Sequence, residues 1–495
     1  MQLATLPMEV IVEMLVQASF SWRDLLNIRT TCKVLYEATK AREIWANLIA
    51  EYLSPTTKTP VRLILERPIN HYNSQGLEDL ILQFHRAQAR LDWRQTKVTP
   101  MIYDKTFAPP DRRNFGKIRL LPGGRWLLGI MPMDRLCYFD LDAPEVKPVA
   151  LTPPAYEVSR DKRHINRMCS WNIDQDKSFD VLTYNVSMVL GFSKGGGSEW
   201  RQEESRVDVW RIQLSVDQNN DDSGSASNWK TEKIATFPLD QRFINPMSVS
   251  IFRRQFAFTF DHQGDEFLAI VDWNQPNNGS LNYSRRYMEI DEDLKLDFSP
   301  ISIQLLPNDY VFIAINHVIS LISLKDSPTE TGPPTPDTSF GKTIWQTETL
   351  DLSNYQVSAP FFCTGSTRFI ITGRSMVYGL IIPNNRPKKR KIVSLAKLPF
   401  SVHVNTFLST LGYNRTIANG RGPGDTQLFN FIWPEETTTA DGPRNGPEAS
   451  CVGFKLSNQP DDYPVPKFVT MDEQSGRMVA RDPMQSSNID VYSIA

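Results

Sequence analysis

Strand-like runs recur from about residue 98 to the C-terminal end, and this recurrence limits the possible folds more than any other feature. Short β-branched and aromatic runs alternate there with clusters of Gly, Pro, Asn and Asp, which is the pattern of antiparallel strands and turns. We count seven such units, each of which predicts one small sheet. Their ends lie near Asp140, Trp210, Asp272, Ile322, Ile381, Ile432 and Tyr492.

A sheet of three or four strands cannot bury both of its faces alone, so each predicted sheet needs a neighbour. Radial stacking supplies two neighbours to every sheet and leaves only short edges. The sequence therefore favours a degenerate seven-bladed β-propeller, although no regular Trp-Asp dipeptide ends the units. A large sandwich or two stacked β-domains would have the same strand texture, and both remain alternatives.

The N-terminal region has a different texture, and its first segment is apolar almost all round. In "LPMEVIVEMLVQA", which begins at Leu6, the polar residues Glu9, Glu13 and Gln17 form one narrow stripe of a helix. An ordinary surface helix has an apolar stripe of only about 100°. We therefore expect this helix to be covered on several sides, by its own chain or by another protein.

Two further helices are predicted before residue 53. Ser21 and Asp24 have the spacing of a capping box, which satisfies free backbone amides at the start of a helix. The second helix would carry its apolar face on Leu25, Ile28, Cys32 and Leu35, and the third on Ile44, Trp45, Leu48, Ile49 and Tyr52. Three short helices make a core too small to stand alone, so the segment needs a partner surface.

The order of the residues in these helices resembles the F-box. The anchors are Leu6-Pro7-x-Glu9-Val10, Leu15, Asp24-Leu25-Leu26, Cys32-Lys33 and Trp45-x-x-Leu48. Leu35 is a departure, since the family often has Trp there, but Leu is a tolerable apolar replacement. The match is confined to residues 6–48 of the 495.

The resemblance implies that the helices dock on the Skp adaptor of an SCF ubiquitin ligase and, through it, on a cullin. The positions that it assigns to this contact are Leu6, Pro7, Val10, Ile11, Leu15, Leu25, Leu26 and Leu35. The chain would then be a non-catalytic substrate receptor whose β-domain binds a protein. Three alternatives remain open: a helical cap that buries the same residues internally, an interaction scaffold without ligase function, and a propeller enzyme acting on glycans.

A fourth helical pattern lies between the two regions. Leu77, Leu80, Ile81, Phe84 and Leu91 fall on one face of a helix that begins near Ser74. We expect it to hold the F-box-like helices at a fixed angle to the β-domain. The predicted division is therefore an F-box over residues 1–52, a helical linker over 53–97 and a propeller-like domain over 98–495.

Composition and motifs give no sign of chemistry. The formal net charge of −2 implies neither a nucleic-acid partner nor a membrane surface, and no apolar run reaches the length of a membrane span. The five cysteines are scattered without C-x-x-C spacing, which argues against a zinc site and suits an intracellular protein. Neither an HExxH helix motif nor a GxxxxGK(S/T) loop occurs in the sequence. We therefore expect no catalytic residue, no metal and no cofactor.

One basic run stands out. The segment "RPKKRK" includes Lys388, Lys389, Arg390 and Lys391 between two strand-like runs, and it resembles a monopartite nuclear import signal. The alternative is a solvated loop whose charge protects a sheet edge. The expected localisation is cytoplasmic, nuclear or both. Three polar insertions, at 217–228, 325–339 and 434–448, have too few apolar residues to order themselves.

Overall fold

The fold was analysed in a computed structural model, which describes the N-terminal helices and most of the predicted strands. The described residues are 6–53, 63–90, 100–107, 118–131, 135–154, 165–194, 201–215, 228–239, 248–262, 265–275, 283–289, 302–315, 318–332, 341–347, 356–373, 375–398, 408–418, 427–431, 433, 450–453, 455–456, 467–481 and 488–494. Leu91, Ile432 and most residues of the three polar insertions lie outside these ranges.

The N-terminal helices occur where the sequence predicts them, with one correction. The described residues form α1 (Met8–Gln17), α2 (Trp22–Arg29), α3 (Lys33–Ala38), α4 (Arg42–Leu53) and α5 (Ser74–Arg90). The capping box is present, since Ser21 and Asp24 exchange side-chain and backbone hydrogen bonds. The prediction of three helices before residue 53 was wrong, because the second one is divided into α2 and α3.

The division is made by two threonines and a cysteine. The hydroxyls of Thr30 and Thr31 donate back to the carbonyl oxygens of Asn27 and Ile28, at 2.7 and 2.8 Å. These side-chain bonds compete with the continuing helical ladder. Cys32 is fully extended and becomes the N-cap of α3.

All five helices share one apolar core. We call α1–α5 together with residues 63–73 the helical unit. The largest buried side chains in it include Trp45 of α4 and Phe84 of α5. Arg29 also forms an ion pair with Glu78 at 2.7 Å, which joins α2 to α5. The linker helix α5 is therefore packed as part of the same unit as α1–α4.

The described strands are numbered β1 to β30 in chain order. They form seven sheets, which we number 1 to 7 along the chain. Sheet 1 contains β2 (Ile118–Leu120), β3 (Trp126–Met131), β4 (Arg135–Asp140) and β5 (Pro148–Ala150). Sheet 2 contains β6 (Ile165–Gln175), β7 (Thr183–Lys194), β8 (Arg201–Ser215) and β9 (Asn228–Leu239). Sheet 3 contains β10 (Val249–Phe252), β11 (Gln255–His262), β12 (Asp265–Asp272) and β13 (Arg285–Glu289).

The other four sheets continue along the chain. Sheet 4 contains β14 (Ser302–Leu306), β15 (Tyr310–Ile315), β16 (Val318–Ser323) and β17 (Lys342–Thr347). Sheet 5 contains β18 (Gln356–Val357), β19 (Phe361–Cys363), β20 (Ser366–Thr372), β21 (Met376–Pro383) and β22 (Lys391–Lys397). Sheet 6 contains β23 (Leu408–Leu411), β24 (Arg415–Ala418), β25 (Gln427–Asn430) and β26 (Ser450–Gly453). Sheet 7 contains β28 (Lys467–Met471), β29 (Arg477–Arg481), β30 (Ile489–Ile494), β1 (Pro100–Phe107) and β27 (Lys455–Leu456).

Sheet 7 joins the two ends of the β-domain. Its strand β1 is the first of the domain, yet it pairs antiparallel with the last strand, β30, from Met101↔Ile494 to Phe107↔Ile489. The short strand β27 runs parallel to β1 on the outer side. Because the first and last strands share one sheet, the β-domain closes on itself.

Apolar clusters between consecutive sheets complete the ring. Among the described residues, one cluster lies between each pair of neighbouring sheets from 1 to 7, and a further one joins sheet 7 back to sheet 1. Phe312 of sheet 4, for example, stacks on Phe369 of sheet 5 with ring centroids 4.3 Å apart. This cyclic packing is that of a β-propeller and confirms the predicted large all-β propeller domain. Each of the seven sequence units supplies strands to one of these sheets.

Candidate protein-docking site

Helix α1 leaves a row of apolar side chains uncovered. Met8, Val10 and Met14 are 39%, 43% and 48% exposed, and Pro7 beside them is also exposed. Val10 and Met14 are four residues apart, which places them on one face of the helix. Single exposed apolar residues are ordinary, but a continuous row on one helix face is typical of a docking surface. Pro7 lies three residues before Val10 and shares this face, whereas Met8 lies two residues before Val10 and points to another side of the helix. We call Pro7, Val10 and Met14 the α1 face.

Pro7 sets the direction of this face because it begins the helix. Its φ of −55° is the value fixed by the proline ring, and its carbonyl oxygen accepts the first helical bonds, from the amides of Val10 and Ile11. Leu6, just before it, is half-buried against the core of the helical unit. The Leu-Pro pair of the motif therefore anchors the start of α1 from one side and leaves the other side open.

The structure divides the eight predicted contact positions into three groups. Pro7 and Val10 are exposed, and Leu6, Leu26 and Leu35 are half-buried. Ile11, Leu15 and Leu25 are 1%, 7% and 1% exposed and lie in the core of the helical unit. These last three hold α1 and α2 in place instead of offering surface to a partner.

Met8, Met14 and Tyr36 were not among the predicted contacts. Tyr36 of α3 is 40% exposed, and the ammonium of Lys40 lies 4.0 Å from its ring centroid. The excess of apolar residues in α1 was a usable signal for the two methionines. Nothing in the sequence marks Tyr36, because its exposure depends on the break between α2 and α3.

Residues 63–66 attach the helical unit to the propeller. The Glu66 carboxylate accepts a hydrogen bond from the Trp126 indole at 2.7 Å and lies 3.2 Å from the Arg125 guanidinium. Burial raises the pKa of Glu66, and the positive charge of Arg125 opposes that rise. Arg125 is also bound by Asp140 at 2.8 Å, so this anchor joins the linker to sheet 1.

Two glutamines provide a second and a third anchor. The side chain of Gln474 bonds to both the amide and the carbonyl oxygen of Ile64, at 3.0 and 3.3 Å. Gln88 of α5 donates to the carbonyl oxygen of Glu473 at 2.9 Å and accepts from Arg415 at 3.0 Å. The amide of Leu182 also donates to the carbonyl oxygen of Glu66. Among the described residues, these hydrogen bonds connect the helical unit to sheets 1, 2, 6 and 7.

These anchors show how the helical unit contacts the propeller, which bears on the alternative of a helical cap. A helical cap would bury the apolar residues of α1 against the propeller, but the propeller is bound by residues 64–66 and by Gln88. The α1 face keeps its exposure while the helical unit is docked. Among the described residues, the propeller is therefore not what covers the α1 face.

Other candidate residues from the sequence lie apart from this site. The basic run is in the turn between β21 and β22, with Lys388, Lys389 and Lys391 exposed and Arg390 half-buried. No helix among the described residues is long and apolar enough to cross a membrane. Within the same residues, no group of three or more His, Cys, Asp or Glu side chains could hold a metal ion.

No protein-family model and no curated protein matches the chain. Solved structures with similar folds include the Cps50 (Swd1) β-propeller domain of Myceliophteria thermophila, at 10% identity and a TM-score of 0.44, covering 80% of this chain and 100% of that one. The WD40 domain of SCAP from fission yeast is 10% identical with a TM-score of 0.38, covering 81% and 97%. Sqt1 of Saccharomyces cerevisiae is 10% identical with a TM-score of 0.32, covering 80% and 99%. The propeller assignment therefore rests on the strand pairing and cyclic packing of the chain itself.

Proposed function

We propose that the chain is the substrate-recognition subunit of an SCF E3 ubiquitin ligase, which docks on the Skp adaptor through its helical unit. The observation that carries this proposal is the α1 face. It belongs to a segment whose residue order resembles the F-box, and it stays exposed while residues 64–66 and Gln88 fix the unit to the propeller. An adaptor that covers the α1 face would bury the apolar side chains of α1 that are exposed in the chain alone.

The propeller would serve as the substrate-binding part. We also propose that each of the seven sheets is one blade. The loops that join the ends of the strands would then carry the binding residues, as is common on rigid scaffolds. The chain itself would be non-catalytic, and the cullin would bring the ubiquitin-conjugating enzyme. The three anchors support this role, because they hold any bound substrate at one orientation to the adaptor.

Adaptor binding is tested with substitutions on the α1 face. Leu6 is half-buried in the core and Pro7 begins the helix, so replacing them would disturb folding as well as docking. The double variant Val10→Ser/Met14→Ser is cleaner because both side chains are exposed. If each is a hot spot worth about 2 kcal/mol, the loss of affinity exceeds about a hundredfold. Skp should then disappear from affinity purifications of the full chain.

The matched control lies on the same helix. Glu13→Ala/Gln17→Ala changes two exposed polar residues of α1 that are not among the motif anchors, and it should retain Skp. Thermal unfolding should show the same midpoint for both variants. If Val10→Ser/Met14→Ser binds Skp as strongly as the parent chain, the α1 face is not the docking surface and the ligase proposal loses its support.

The same purification separates a ligase subunit from a scaffold. A receptor brings down a cullin with Skp, whereas an F-box scaffold without ligase function brings down Skp alone. Localisation in the cytoplasm, the nucleus or both stays a prediction. The exposure of Lys388, Lys389 and Lys391 makes them accessible to an import receptor.

A further inference from the structure

The turn between β21 and β22 holds its basic residues in a fixed arrangement. The amide of Asn384 donates to the carbonyl oxygen of Gly365 at 2.9 Å, and that of Lys389 donates to Arg386 at 2.9 Å. The strands on both sides pair from Met376↔Lys397 to Ile381↔Lys391. The basic run is therefore part of a folded hairpin at the outer edge of sheet 5.

The neighbouring sheet clamps this hairpin. The indole of Trp345, in the outer strand of sheet 4, donates to the carbonyl oxygen of Pro387 at 3.1 Å. The guanidinium of Arg390 lies over the same indole, 4.5 Å from the ring centroid, and donates to the carbonyl oxygen of Gln346. These contacts position the backbone under Lys388 and Lys389, so little order must be gained when a ligand binds.

The sequence on both sides of the hairpin carries positive charge only. The chain as a whole has a net charge of −2, yet there is no Asp or Glu between Asp351 and Asp425, a stretch with ten Lys and Arg. Among the described residues, no carboxylate forms an ion pair with the cations of the turn. We call Arg386, Lys388, Lys389 and Lys391 the basic hairpin surface.

We propose that the basic hairpin surface binds an acidic segment of another protein. A nucleic acid fits less well because single strands need exposed aromatic rings for stacking, and Trp345 is only 7% exposed. A membrane fits less well because no large apolar side chain is exposed in the described turn. A flexible acidic peptide needs only the spread of positive charge that the turn provides.

The surface can be tested separately from adaptor docking. Among the described residues, the helical unit hydrogen-bonds to sheets 1, 2, 6 and 7 and not to sheet 5. Binding at the hairpin should therefore survive Val10→Ser/Met14→Ser. Loss of one interaction with retention of the other shows which proposal has failed.

The experiment measures fluorescence anisotropy of a labelled oligoglutamate peptide with the full chain. Exposed ion pairs are weak, so Lys388→Ala/Lys389→Ala should weaken binding roughly tenfold, which corresponds to about 1.4 kcal/mol, and Lys388→Glu/Lys389→Glu should abolish it. The control Lys147→Ala/Lys230→Ala removes two exposed lysines, one just before β5 and one in β9, and should bind as the parent does. Raising the salt from about 0.05 to 0.5 M should weaken binding, because exposed charges are screened.

Three results would overturn the proposal. Equal losses in the hairpin and control variants would mean nonspecific attraction, and absence of binding at low salt would leave the lysines as protection of the edge strand β22. Tighter binding of oligouridylate or of phosphatidylserine vesicles, lost in the same variant, would assign the surface to nucleic acid or lipid. Unfolding midpoints of all variants show whether the hairpin still folds.

Discussion

His85 is held among aromatic side chains inside the helical unit. Its ring stacks on Trp22 at a centroid distance of 4.8 Å, and the Tyr52 hydroxyl bonds to its Nε2 atom. Burial lowers the pKa of His85 to about 4, and the nearby charge of Arg23 adds to the effect. The unfolded chain therefore binds more protons than the folded chain between pH 6.5 and 4. Stability from this residue is present above pH 6.5 and is lost as the pH falls through that window.

The pKa of Asp174 shifts in the opposite direction, so the two residues can be tested as a pair. Burial raises its pKa to about 6, with Asp176 adding to the rise and the amide of Arg253 opposing it. The folded chain binds this proton more tightly than the unfolded chain does, so the stability that Asp174 contributes is lost as the pH rises through 6. In thermal unfolding followed by circular dichroism, His85→Gln should reduce the loss of stability on acidification, and Asp174→Asn should increase it. Identical pH profiles for the two variants would contradict both assignments.

At the scale of elements, Glu66 joins a linker to a blade. Glu66→Ala removes the acceptor of the buried Trp126 indole, and an unsatisfied buried donor costs about 1–3 kcal/mol. Glu66→Gln keeps an acceptor and should cost less. Hydrogen exchange read by mass spectrometry should show faster exchange at residues 63–66 and at Leu182 in the Ala variant. Glu145→Ala, whose only described ion pair is with exposed Lys147, is the control and should change nothing there.

Helices were predictable from the sequence where their signals are local. The capping box at Ser21 and the periodic face of α5 are read from residues a few positions apart, and both were confirmed. The inner side of α1 was not predictable in this way. A helix that is apolar all round has no periodic face, so only packing in the unit's core distinguishes buried Ile11 from exposed Val10.

Strand-containing units were predictable for a similar reason, but the closure of the ring was not. Alternating runs and turn residues mark each sheet locally. The pairing of β1 with β30 joins the two ends of the β-domain, and β1 has no distinguishing pattern of its own. Closure results from the need of the last sheet for an outer strand, a requirement that appears only when the whole ring is considered.

At the scale of the whole molecule, the ring closes through β1, while the helical unit is an added support. The unit contributes Ile64 to the apolar cluster between sheets 1 and 2, as well as the anchors at Glu66 and Gln88. Among the described residues, the other clusters between consecutive sheets consist of residues from the β-domain. The propeller should therefore fold without the helices, but not without its closing strand.

Two truncations test this difference. A chain of residues 92–495 keeps β1 and should give a soluble all-β circular dichroism spectrum, with a lower unfolding midpoint because Trp126 and Gln474 lose their partners. A chain of residues 108–495 lacks β1, so β30 becomes an open edge and Phe107 is removed from the cluster between sheets 7 and 1. It should aggregate or unfold at a far lower temperature, since an uncovered edge strand invites pairing with other chains. Equal stability of the two truncated chains would show that the ring does not depend on closure by β1, and failure of the longer one to fold would make the helical unit part of the propeller's own core.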